Sequence, residues 1–221
     1  MKKARGTEPP GTKSPDQPIQ SSCLSLQPEV WRVFCAVEIP EEVSRLMAEH
    51  MKKLKARFPT VPASWSREGK FHLTLKFLGN VLRNRVEDVS RAASLTTDCV
   101  APIPIKVGGT GTFPKHGPPR VLWIGIDDWQ GKLTKLQRDL EGACAPLGFP
   151  GEERPFHPHL TIARLRKPQG AKELGWAHRD MEFEPVEITV PELIVLRSEL
   201  GSDGSKYNAI SRHQLKGNAC C

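Results

Sequence analysis

The sequence has no CxxC pair, no run of about 18 apolar residues and no apolar stretch near its start. The first absence removes the commonest zinc and redox spacings. The six cysteines, at 23, 35, 99, 144, 220 and 221, form no regular framework, which fits a reducing cytoplasm, with Cys35 and Cys144 as buried free thiols inside apolar segments. The second excludes a membrane-spanning helix, and the third a signal peptide. A soluble, cytoplasmic protein with no membrane partner is expected. An acidic excess is lacking too: lysine plus arginine minus aspartate plus glutamate is 32 − 25 = +7. That balance suits a phosphate-rich partner without requiring one.

At 221 residues the chain is long enough to bury a core. Residues 1–28 are rich in Pro, Ser, Thr, Gly and Gln and are expected to form a disordered tail. An ordered domain is expected over 29–216 and a flexible end over 217–221, whose Cys220-Cys221 pair also resembles a prenylation tail. Strand-like β-branched and aromatic runs occur at 31–39, 61–65, 71–79, 103–109, 120–127, 157–165, 186–198 and 206–215. Helical spacing predicts helices over 41–58, 84–95, 129–147 and 170–178. The first places Val43, Leu46, Met47 and Leu54 on an apolar stripe that also takes His50 as a structural residue. The Gly/Pro-rich stretch 109–119 reads as a loop with His116 solvated, and 201–205 as a hairpin connection. Strand pairs without an intervening helix point to an α+β fold.

One four-residue pattern occurs twice, as FHLTLKF at 71–77 and HPHLTIAR at 157–164. Side chains alternate along a strand, so His72 and Thr74 share one face and Leu73 and Leu75 the other. His159 and Thr161 stand likewise against Leu160 and Ile162. Each motif presents an imidazole beside a hydroxyl, anchored by two core aliphatics. Two imidazoles brought together can take a proton from water and give one to a leaving oxygen, while the threonines bond phosphate oxygens. Opening a strained cyclic phosphodiester needs no metal or redox cofactor for such chemistry. His157 and His159 also form an HxH pair of the kind that binds zinc, but no further ligand stands at recognisable spacing, and His72 is left unexplained.

These motifs resemble the two-histidine phosphoesterase superfamily, and within it the bacterial and archaeal RNA 2′,3′-cyclic phosphodiesterases, once called 2′-5′ RNA ligases. RVFCAVEIP, GTFP followed by RVLWIGI, and ELIVLRSELGSDGSKYNAI extend the likeness over about residues 31–215. The resemblance implies a bilobal α+β fold with pseudo-twofold symmetry, two lobes of antiparallel sheet with flanking helices around a central groove. It implies a metal-independent hydrolysis of RNA 2′,3′-cyclic ends, or of cyclic nucleotides, to 2′-phosphates, with His72 as proton donor and His159 as proton acceptor. Thr74 and Thr161 would hold the phosphate, and Arg154 and Arg164 would stabilise charge or bind the end, with surface or structural pairing as the alternative; Phe156, beside the second motif, is placed either to stack on a base or to pack in the core. Trp65, Trp123 and Phe71 are expected in the core. A monomer without cofactor is expected. Ligation by the reverse chemistry, and a non-catalytic RNA-end-binding module, are the alternatives.

Overall fold

A computed structural model of the chain describes residue 1 and residues 28–67, 71–201 and 204–217. The expected tail, apart from its two end residues, the tip of the 201–205 connection and the Cys220-Cys221 end lie outside the described residues. The elements run β1 (Val30–Glu38), α1 (Glu41–Arg57), β2 (Ala63–Trp65), β3 (His72–Leu82), α2 (Val86–Thr97), β4 (Ile103–Phe113) and β5 (Val121–Asp127). They continue with α3 (Lys132–Cys144), β6 (His159–Leu165), α4 (Ala171–Asp180), β7 (Val186–Val190), β8 (Glu192–Gly201) and β9 (Gly204–Gln214).

The strands form two antiparallel sheets, in the orders β3-β1-β8-β9 and β2-β6-β5-β4-β7. The fold is α+β. With the short β2 set aside, the sheets correspond strand for strand: β3-β1-β8-β9 against β6-β5-β4-β7. The connections repeat too, since β1-α1-β3-α2 and β5-α3-β6-α4 are the same unit, each with its HxT strand second among the pair. The lobes are nevertheless not successive halves of the sequence. β4, from the first half, is an inner strand of the five-stranded sheet, and β8, from the second half, is an inner strand of the four-stranded one.

Several boundaries differ from those expected from the sequence. The run 186–198 is two strands in different sheets, broken at Pro191, whose missing N–H cannot serve a ladder. Part of the Gly/Pro-rich stretch is strand: β4 continues through a register irregularity after Val107 to Phe113, because Gly111 lies under the Trp123 indole, where a Cβ would sit 2.1 Å from the ring. α3 begins at Lys132, not 129. The carboxylate of Asp128 accepts from the N–H groups of Leu133 (3.1 Å) and Thr134 (2.7 Å), satisfying donors that the first turn leaves open. Leu46 points outward on α1, while Val43, Met47, Met51 and Leu54 are buried. Cys35 and Cys144 are buried free thiols. Phe71 is core, whereas Trp65 and Trp123 are only half-buried. Among the described residues no helix is long and apolar enough to cross a membrane.

His50 is structural. It is buried on α1 and bonds His178 of α4, Nε2 to Nδ1 at 3.0 Å, and His178 Nε2 donates to the Trp123 carbonyl at 3.0 Å. The carbonyl only accepts, so His178 carries its proton on Nε2 and must accept from His50 at Nδ1. With both pKa values lowered, the rings are uncharged at neutral pH. Burial pushes His50 down to about 4, helped by the neighbouring imidazole, and burial lowers His178 as well. Between pH 6.5 and 4 the unfolded chain binds more protons at these sites than the folded one. Their stabilisation is complete above pH 6.5 and is lost as pH falls toward 4, on the order of 2–3 kcal/mol. Urea midpoints at pH 7 and pH 4.5 measure it. The slope should shrink in His50→Gln, which keeps a donor but cannot charge, and an unchanged slope would contradict this account.

Candidate active site

β3 and β6 belong to different sheets, yet both face one open groove of about 2450 Å³. All seven residues expected at the site line it: His72, Thr74, Arg154, Phe156, His159, Thr161 and Arg164. The two motif strands carry the same burial sequence over seven residues. His72 and Thr74 are half-buried, Leu73, Leu75 and Lys76 are buried, Phe77 is exposed and Leu78 is buried; His159 to Leu165 repeat this position by position.

The cause is a bulge placed identically in both. Thr74 and Lys76 oppose Ala36 and Cys35, so Leu75 is an extra residue; Thr161 and Ala163 oppose Trp123 and Leu122, so Ile162 is extra. A bulge interrupts strict alternation and re-aims the side chains beyond it. Here it turns Lys76 and Ala163 inward and returns Phe77 and Arg164 to the groove face. The β2 edge supports the second bulge: Ser66 N–H donates to the Ile162 carbonyl (2.8 Å) and Ser66 Oγ to the Thr161 carbonyl (2.6 Å).

Each histidine rests on aromatic rings. His72 lies 4.8 Å from the Tyr207 ring, edge-on, and 5.0 Å from Phe34; His159 lies 5.0 Å edge-on from Phe113 and 6.3 Å from Trp123. Such packing restricts ring rotation without consuming the imidazole nitrogens. His159 Nδ1 is 2.6 Å from the His157 carbonyl, which only accepts, so Nδ1 carries the proton and the neutral ring keeps its lone pair on Nε2. Burial lowers the His159 pKa, and the charges of His157 and Arg164 push the same way against that hydrogen bond. At neutral pH the ring is uncharged and able to accept a proton.

Phe156 is half-buried against the core and also borders the groove, while Arg154 and Arg164 are exposed. Trp65 and Phe71, expected only in the core, line the groove as well. Phe34, Phe77 and Tyr207 were not legible as site residues, since they come from β1, from beyond the bulge and from β9. Phe77 is 65% exposed, a large apolar ring facing the groove. Among the described residues no three His, Cys, Asp or Glu side chains converge as a metal site requires, and the His157 carbonyl already engages His159 Nδ1.

The sequence matches the family model of the 2′-5′ RNA ligase superfamily over residues 40–202. It is 31% identical over 185 residues to an RNA 2′,3′-cyclic phosphodiesterase of Geobacillus stearothermophilus, covering 83% of this chain and 57% of that protein. It is 30% identical over 187 residues to the protein of the same name from Thermotoga maritima, covering 84% and 96%. Among solved structures, TT0787 of Thermus thermophilus superposes with a TM-score of 0.67 at 27% identity, covering 85% of this chain and all of that one. E. coli LigT complexed with 3′-AMP superposes with a TM-score of 0.68 at 23% identity, covering 85% and 99%, a likeness of fold.

Proposed function

Because the chain belongs to the 2′-5′ RNA ligase superfamily, we propose that its groove hydrolyses the 2′,3′-cyclic phosphate at an RNA end to a 2′-phosphate, by general acid–base catalysis between two histidines. The observation that carries this is the doubled, identically bulged strand: two imidazoles and two hydroxyls enter one groove from opposite sheets.

In this mechanism His159 Nε2 takes a proton from water as the water oxygen attacks phosphorus. The bond from phosphorus to the 3′ oxygen breaks, and His72 gives that oxygen a proton. Thr74 and Thr161 donate to the non-bridging oxygens, where charge grows in the transition state. Arg164 and Arg154 add positive charge from the groove wall, and Phe156 offers a ring to the terminal base. The two proton carriers exchange states through solvent after each turnover. No step requires a metal ion.

Product analysis of a cyclic-ended oligonucleotide tests the proposal. The expected product carries a 2′-phosphate only, and activity survives exhaustive chelation; a 3′-phosphate product would reverse the assigned roles. The pH profile of kcat/KM should be bell-shaped. Its acid limb should fall below the ordinary histidine value of 6.5, because burial holds His159 neutral to lower pH. A profile flat from pH 5 to 9 with chemistry rate-limiting would count against the pair. Joining of ends uses the same groups in reverse, and water at bulk concentration favours hydrolysis.

A further inference from the structure

We propose, resting on that function, that the groove binds several nucleotides of single-stranded RNA 5′ to the cyclic end, along a cation track formed by Arg120, Arg166 and Lys167. These three side chains are exposed and line the groove, and none makes an ion pair among the described residues. Elsewhere the surface cations Arg83, Arg85, Lys106, Lys135, Arg197 and Arg212 are each held by a carboxylate. Exposed cations outside the groove, such as Lys52, Lys132 and Lys172, are also unpaired among the described residues, so what marks Arg120, Arg166 and Lys167 is their place together on the groove wall. Glu152 and Glu153 are the exposed acids among its described lining residues.

The track has a definite place. The Leu165 N–H donates to the Arg120 carbonyl at 2.8 Å, which fixes Arg120 beside the end of β6 where Arg166 and Lys167 follow. Arg166 is seven residues beyond His159, up to about 23 Å along an extended chain. A cyclic mononucleotide seated between the histidines cannot span that distance, but a short strand can. Half-buried Trp65 of β2 and, from the other sheet, exposed Phe77 line the same groove. A basic groove with stacking rings is the arrangement by which single strands are held without sequence readout.

The experiment compares a 2′,3′-cyclic mononucleotide with a cyclic-ended pentanucleotide, using the parent and the triple variant Arg120→Gln/Arg166→Gln/Lys167→Gln. For the parent, kcat/KM should be at least about tenfold higher on the pentanucleotide. The triple variant should lose that gain while turning over the mononucleotide within about twofold of the parent. Three lost phosphate contacts on a single strand should reduce the salt slope of binding by about two, equivalent to about a 20-fold smaller loss of affinity between 50 and 200 mM salt. Equal rates on both substrates, a length gain retained by the variant, or equal turnover of a fully paired end would each overturn the track. Should the parent turn over neither substrate, the proposed reaction fails and the track is judged separately. Fluorescence anisotropy of a pentanucleotide with a 3′-phosphate then decides: weaker binding by the variant by about tenfold supports it, and equal binding refutes it.

Discussion

His159→Ala lowers the turnover of a cyclic-ended oligonucleotide by about 10²- to 10⁴-fold, and His72→Ala does so to a similar extent. The double variant is expected to be little worse than either single one, because a base and an acid serving one displacement act as a unit. His159 is half-buried against Phe113 and Trp123, so truncation also removes packing. Urea midpoints and binding of a 2′-phosphate product separate that loss from the chemical one. His159→Gln should retain binding and still lack turnover, since an amide cannot accept the proton from water. No product from the parent, with both single variants indistinguishable from it, would favour a non-catalytic RNA-end-binding module instead.

Lys76→Met destabilises the protein by about 3–5 kcal/mol, a large share of the 5–15 kcal/mol typical of a folded domain. Lys76 is almost fully buried, with its side chain 2% exposed, and pairs with Glu141 of α3, whose side chain is 15% exposed. Its ammonium also donates to the Pro150 carbonyl at 3.0 Å, and Glu141 accepts from Gln137. Removing the lysine leaves a mostly buried carboxylate with one neutral side-chain donor. Lys76→Met/Glu141→Leu should restore most of the loss, because an apolar pair of similar volume needs no compensating charge. A single variant costing no more than the double, measured by urea denaturation, would mean that the pair does not hold β3 to α3. Loosening Pro150 should also raise KM, since the 150–158 segment carries Arg154 and Phe156.

Much of this was readable in the sequence because it depends on local periodicity. The alternation in HLTL and HLTI places histidine and threonine on one face, and the half-buried and buried positions follow it as far as Leu75 and Ile162. Beyond those residues alternation misleads. It would aim Lys76 at the groove and Arg164 away from it, and only the bulges, set by pairing with β1 and β5, exchange these directions. Tyr207 and Phe34 approach His72 from strands 135 and 38 residues away in the sequence, so no local pattern could join them to the motif. The break at Pro191 was signalled by the residue itself, whereas the sheet that each flanking strand joins is a matter of long-range pairing.

The exchange of inner strands, with β4 given to one sheet and β8 to the other, has a consequence for cooperativity. Neither half of the chain holds a complete sheet, so a histidine wall built from one half alone lacks an inner strand. The two histidine walls are expected to form and vanish together. Loss of the proposed activity in denaturant should therefore coincide with global unfolding instead of preceding it.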